Sequence, residues 1–244
     1  MDQALLIASV ISVFALVQSV FGMGLLVFGT PTLLVLGLPF SDTLGWLLPA
    51  SVAISVIQVS GDTKHARAVW QSGKPLLCIA PLVASLGIVL WFDFHTRIDL
   101  TIGLVMIAAS AIRVNAGLRQ RIARFITRAE WTFLVGMGAL HGFTNMGGAL
   151  LSVYAASLNR TKHAIRATVS VYYLFFGVVQ IATLGALKPD ALGYHSVAAA
   201  FIAAFVYAVA GRLIFDRSSA IAYERAVTGF IAVYGIAVIA KSSL

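Results

Sequence analysis

Charge is scarce in this sequence. Asp, Glu, Lys and Arg make up 11% of its 244 residues against 60% hydrophobic residues, and mean hydropathy is +0.95. A soluble domain of this length has no interior large enough for so much apolar surface. The composition therefore excludes a water-soluble globular protein and fits a polytopic membrane protein. Cysteine is nearly absent as well. Cys78 stands alone in an apolar run, which rules out an internal disulfide framework and thiolate clusters and leaves it as a small buried hydrophobe. His65 and His163 lie in basic loops and His95 and His195 at outer span ends, so no metal site or other cofactor is expected. There is no G-x-S-x-G, no H-E-x-x-H and no pair of intramembrane aspartates. The stretch SGKP at 72–75 lacks the upstream glycine and following Ser/Thr of a phosphate loop. An enzyme is not expected, and any work the protein does must draw on a gradient or a partner protein. The start, MDQALLIASV, lacks a basic leader region and a small-x-small cleavage site, so it reads as a retained first helix.

What is present is a series of apolar segments, at 4–22, 24–39, 42–60, 75–92, 99–117, 131–143, 147–159, 168–186, 194–212 and 226–241. Segments of 18 to 20 residues cross a hydrocarbon core of about 30 Å, and two crossings need roughly 40 residues. The pairs within 4–39 and 131–159 are too short for that. Charge decides how they are arranged. Fourteen of the seventeen basic residues fall in four loops: Lys64, Arg67 and Lys74; Arg113, Arg119, Arg121, Arg124 and Arg128; Arg160, Lys162 and Arg166; Arg212, Arg217 and Arg225. Placing all four loops in the cytoplasm satisfies the positive-inside rule. It also makes 131–159 a hairpin that enters and leaves on the same side, with its tip at HGFTNMGG.

The same count puts both termini outside the cytoplasm and makes 4–39 a hairpin entering from the outer side. The expected fold is thus an all-α polytopic membrane protein of two inverted-topology repeats, each a re-entrant helical hairpin followed by three transmembrane helices. Residues 1–117 form the first repeat, with hairpin 4–39 and spans 42–60, 75–92 and 99–117. Residues 131–244 form the second, with hairpin 131–159 and spans 168–186, 194–212 and 226–241. Between them, 118–130 interleaves Leu118, Ile122, Phe125 and Ile126 with arginines, the pattern of an amphipathic helix on the cytoplasmic membrane surface. The net charge of +8 belongs to this topology, and no nucleic-acid partner is expected.

The two halves match weakly in sequence. QSVFGMGLL at 18–26 can be laid over HGFTNMGGA at 141–149 with Met-Gly in register, and Gln58 and Gln180 follow at similar offsets. Irregular backbone at membrane depth has to be buried in protein or face a watery cavity. The candidate site residues are therefore those of the tips, Gly22, Met23 and Gly24 with Thr144, Asn145, Met146, Gly147 and Gly148. Each tip precedes a half-helix whose amides and positive dipole end would face the middle of the protein, an arrangement suited to an anion without a buried cation. Gln58, Gln180 and Gln18 add neutral donors. Glycines in membrane helices also serve plain close packing. His141 has two readings: a proton acceptor coupled to the anion, or a neutral donor capping the tip.

These residues carry a resemblance. FGMGLLVFGTPTLLVLGLP followed by LGWLLPASVAISVIQVSGD, and GALHGFTNMGGALLSVYAASL followed by AIRATVSVYYLFFGVVQIATLG, resemble the two halves of the TauE/SafE family of membrane transporters. Gly24 is followed by Leu25 and Leu26 instead of further glycines, Val153-Tyr154 stands where the family usually has proline, and Gln58 and Gln180 replace a frequent Asn. The resemblance implies transport of a small sulfur oxyanion or organosulfonate. The expected function is a secondary transporter working by alternating access between the opposed tips, in a lipid bilayer and most naturally the inner membrane of a bacterium. A coupling ion, H⁺ or Na⁺, and a homo-oligomer are open. An anion channel, a transporter of a small carboxylate and a non-transporting scaffold are the alternatives.

Overall fold

The computed structural model describes residues 3–92, 107–112 and 114–242. Among them there is no strand, and five helices are long and apolar enough to cross a membrane: Gln3–Phe21, Phe40–Gly61, Lys74–Phe92, Lys162–Leu187 and Tyr194–Arg217. The chain is an all-α, multi-pass membrane protein.

In chain order, α1 (Gln3–Phe21) is followed by a π-helical turn at Leu25–Gly29 and the short α2 (Thr30–Val35). Helices α3 (Phe40–Gly61) and α4 (Thr63–Gln71) come next, then a 3₁₀ turn at Lys74–Cys78 that runs into α5 (Ile79–Phe92). Helix α6 (Ala116–Arg128) covers most of the expected connector, with Asn115 Oδ1 accepting the Leu118 amide at 3.0 Å as its N-cap. The second half contains α7 (Glu130–Thr144), α8 (Gly148–Leu158) and α9 (Lys162–Leu187). Helix α10 (Tyr194–Val206) then passes through a π-helical turn into α11 (Arg212–Arg217), and α12 (Ala220–Ser242) covers the expected segment 226–241. Most of the expected span 99–117 lies outside the described residues.

Helix α3 packs against both α9 and α10, and α5 lies along α7. Pro49, inside α3, has no amide hydrogen, so the carbonyl of Gly45 one turn earlier is left without its helical partner. Ser196 Oγ of α10 donates to that carbonyl at 2.7 Å. Helix α12 docks along the first chain break. Tyr223 OH donates to Phe21 O at 3.3 Å, and Tyr234 OH donates to Phe28 O at 2.8 Å and also meets Thr32 Oγ1. The Phe28 ring is seated among Phe14, Phe230 and Tyr234, with centroids 6.0, 4.7 and 5.1 Å away.

Contacts gather the basic segments at one end of the bundle. Lys74 Nζ pairs with Glu130 at 2.8 Å, His163 faces Asp62 at 3.8 Å, and Lys162 Nζ donates to the carbonyls of Phe215 and Ser218 at 2.6 Å each. At the same end Tyr154 of α8 returns to the first residue of α7, donating its hydroxyl to Glu130 at 2.8 Å. The chain has therefore doubled back around Asn145. At the opposite end, Gln3, Ala4 and Ile7 of α1 line one pocket with Gly37 and Leu38 just past α2, so the chain doubles back around Gly22–Gly24 as well.

Arg166, expected in a loop, is instead buried. Helix α9 begins at Lys162, ahead of the expected 168, which takes Arg166 out of the loop and into the helix. There it is only 7% exposed. Its Nη1 donates to Ser19 O at 3.4 Å, in the last turn of α1, and the guanidinium lies 3.3 Å from the centroid of the Phe215 ring. A cation at a helix C-terminus and over an aromatic face is favourable, which accounts for its burial.

Small residues let α7 approach α5 and the 3₁₀ turn that leads into it. A Cβ at Gly138 would stand 2.8 Å from Cys78 Cα, whereas one at Gly136 meets nothing. Gly138→Leu should destabilise the protein by about 1–3 kcal/mol. Gly136→Leu should leave the thermal midpoint of the detergent-solubilised protein where it was, and equal melting of the two variants would contradict the packing described.

Candidate functional site

The first break follows from local chemistry. Gly22 has φ +78, a left-handed conformation that a side chain strains, and its amide closes α1 on Gln18 O at 2.8 Å. Gly24 lies so close to α1 that a Cβ there would stand 2.7 Å from Phe14 O. Met23 between them is buried at 1% exposure. Gln18 ties the break together: its Nε2 donates to Ser51 O at 3.0 Å, and its Oε1 accepts the Leu25 amide at 3.2 Å.

At the second break Asn145 is the one non-glycine residue with positive φ among those described, at 58°. Its short amide side chain tolerates this conformation, and its own amide closes α7 on His141 O at 2.7 Å. Thr144 Oγ1 accepts the Met146 amide at 3.1 Å and donates back to Leu140 O at 2.7 Å. Met146 is buried, and Gly147 and Gly148 open α8.

A chain of bonds with a single direction crosses the site. The Gly147 N–H can only donate, and it does so to His141 Nδ1 at 3.0 Å. The ring proton therefore sits on Nε2, which donates to Gln180 Oε1 at 3.1 Å. Gln180 Nε2 donates onward to Asn145 Oδ1 at 3.1 Å, and Asn145 Nδ2 donates to Thr30 Oγ1 at 2.9 Å. Every side chain in the series is buried. Since Thr30 begins α2, the last of these bonds joins the second break to the first.

Gln58 repeats on the first break what Gln180 does on the second. Its Nε2 donates to the carbonyls of Gln18 and Ser19, each at 3.0 Å, and its Oε1 accepts from Ser170 Oγ at 2.7 Å. Each glutamine reaches from a long helix, α3 or α9, to the C-terminal end of the helix that leads into a break. Both amides are engaged within the protein.

The two breaks also meet at a tyrosine. A Cβ on Gly148 would collide with Tyr173 OH and stand 2.5 Å from Val27 Cγ2, so the phenol of α9 lies between the start of α8 and the π-helical turn. Tyr173 is fully buried, and its hydroxyl has no hydrogen-bond partner. The residues singled out from sequence thus fall into two groups. Gly22, Met23, Gly24, Gln18 and Gln58 surround the first break. Thr144, Asn145, Met146, Gly147, Gly148, His141 and Gln180 surround the second. Thr30 and Tyr173 were not anticipated. The sequence TP at 30–31 is a helix-start signal that would have pointed to Thr30, whereas Tyr173 sits in an apolar run where aromatic residues are ordinary.

Among the described residues no group of three His, Cys, Asp or Glu side chains could hold a metal ion. No curated protein and no solved structure matches the chain. A family model described as sulfite exporter TauE/SafE matches residues 6–238, a range that contains every residue of the two breaks. The chain belongs to the TauE/SafE sulfite exporter family, a family of membrane transporters and not of enzymes.

Proposed function

We propose that the protein carries a small sulfur oxyanion, sulfite or a close relative, across the inner membrane of a bacterium by alternating access. The anion would bind between the two chain breaks. The observation that carries this reading is Tyr173: a buried hydroxyl without a partner, held against Gly148 at the point where both breaks converge. A buried polar group left unbonded costs about 1–3 kcal/mol, and a ligand that accepts its proton recovers that cost. The first-turn amides of α8 have no intrahelical acceptor, and the positive dipole end of that helix points the same way. Neutral donors of this kind hold a divalent or monovalent oxyanion without the deep trap that a buried ion pair would create. The family description supplies the sulfur oxyanion class.

The segments 4–39 and 131–159 are then re-entrant hairpins of two inverted repeats, with the basic end of the bundle in the cytoplasm and both termini outside. The clustering of basic segments at one end, and the opening of the two hairpins toward opposite ends, support that arrangement. His141 gives a route for a coupled proton. Protonation of Nδ1 would release the Gly147 amide, freeing a donor at the start of α8 as the anion arrives. The buried imidazolium would be neutralised by the same anion.

Three outcomes test the reading. Tyr173→Phe removes only a hydroxyl that has no partner, so melting should be unchanged or slightly raised. Sulfite affinity, read by calorimetry on the protein in nanodiscs, should fall about ten- to a hundredfold, the worth of one hydrogen bond to an anion. Undiminished affinity would remove the site from between the breaks. Arg160→Cys, in a chain whose one native cysteine is buried, should react in intact cells with permeant maleimides alone; labelling by an impermeant reagent would reverse the topology. His141→Gln should flatten the pH dependence of sulfite flux in proteoliposomes, and a profile identical to the wild type would make His141 a structural cap.

A further inference from the structure

A second pocket lies at the basic end of the bundle, between α4, α8 and α9. It is a pocket of about 170 Å³ lined by Ser72, Lys74, Tyr154, Asn159, Thr168 and Tyr172 among others. That is space for roughly five waters, enough for a small tetrahedral or pyramidal oxyanion with part of its hydration shell. Its two strongest donors converge on one atom: Lys74 Nζ and Tyr154 OH both donate to Glu130 Oε1, each at 2.8 Å. Tyr154 is 2% exposed, while the side chains of Lys74 and Glu130 are 40% and 22% exposed. A carboxylate oxygen thus occupies the point where an ammonium and a buried phenol meet at the wall of an anion-sized pocket. Glu130 is the partner that can swing out, because it sits on the first turn of α7 and is partly exposed.

We infer that this pocket is a peripheral, basic-end binding site for the transported oxyanion, in which Lys74 and Tyr154 are the ligands and the Glu130 carboxylate is the internal anion they hold until substrate displaces it. The inference rests on the reading that a small oxyanion binds between the chain breaks. It adds the place where that anion waits on the basic side. The two sites share helices: Tyr154 lies on α8, which begins at Gly148, and Tyr172 adjoins Tyr173 on α9. Ring contacts bridge the interval, from Tyr154 to Tyr172 at 5.7 Å, Tyr172 to Phe176 at 5.9 Å and Phe176 to His141 at 4.6 Å. Rotation of Tyr172 and Phe176 would open the way from pocket to break. Asn159 and Thr168, also in the lining, bond each other at 3.1 Å.

The test is the sign of two charge changes, with sulfite as the probe. A purely structural Lys74–Glu130 pair predicts that losing either partner acts alike, lowering the melting temperature and leaving affinity alone or weakening it. Displacement predicts opposite effects: Lys74→Gln weakens sulfite binding about tenfold or more, whereas Glu130→Gln, which removes the competing charge, tightens it several-fold. Calorimetry in nanodiscs is run on both variants in the wild type and in the Tyr173→Phe background, where the inner site is weakened and the remaining heat reports the pocket. Opposite shifts that survive in that background support the inference. Shifts in the same direction, no shift, or no residual heat after Tyr173→Phe overturn it. If Lys74→Gln does not fold, Glu130→Gln decides alone, tighter binding supporting the inference and equal or weaker binding overturning it. The inner site is judged separately: unchanged sulfite heat in Tyr173→Phe sinks the site between the breaks, whatever the charge variants do.

Discussion

Lipid offers no hydrogen-bond partners to a broken helix, and that constraint governs how this chain is built. Each break near the middle of the bundle exposes carbonyls on one side and amides on the other. Gln58 on α3 reaches the first group, donating to Gln18 O and Ser19 O, while Gln180 on α9 holds the side chain of Asn145 by its Oδ1. Gln18 and His141 take up amides of the second group, those of Leu25 and Gly147. Side chains that looked like free donors for a substrate thus act first as the solvent that the membrane withholds. Beside the second break the phenol of Tyr173 is left without a partner.

The same economy of charge explains where cations are found. Most of the basic residues gather at one end, and the buried one, Arg166, sits where a helix C-terminus and the Phe215 ring compensate it. Lys74 is matched by Glu130. Arg166 adds a cation beside the first break, with its Nη1 on Ser19 O and its stem against Gly22, whereas around the second break the buried hydrogen bonds join neutral groups. For a transporter this is suitable chemistry, since a site that must release its anion is poorly served by a deeply buried ion pair.

Much of this was legible from sequence because polar residues stand out in an apolar chain. Asn145 and the glycines beside it, His141, and Gln58 with Gln180 announce themselves against runs of Leu, Val and Ala, and the two breaks fall where the short paired segments required them. Partners were not legible. An amide at a given depth is visible in sequence, but whether it faces a ligand or a carbonyl 40 residues away depends on helix rotation and packing, which no local spacing encodes. Tyr173 stayed hidden because a tyrosine among apolar neighbours is ordinary in a membrane helix. Arg166 was assigned to a loop because its burial depends on Phe215, far along the chain.

The hydrogen bond between Asn145 Nδ2 and Thr30 Oγ1 has one more consequence. It is a side-chain link from one half of the molecule to the other at the breaks, and it joins two uncharged groups. Such a bond contributes about 1 kcal/mol net, within a factor of two of thermal energy. At this point the seam between the halves is held by one neutral bond, and Val27, Gly148 and Tyr173 pack against one another beside it. A steric contact of that kind parts without an ion pair at the breaks themselves having to break. The alternating access proposed above would meet little electrostatic resistance at this contact.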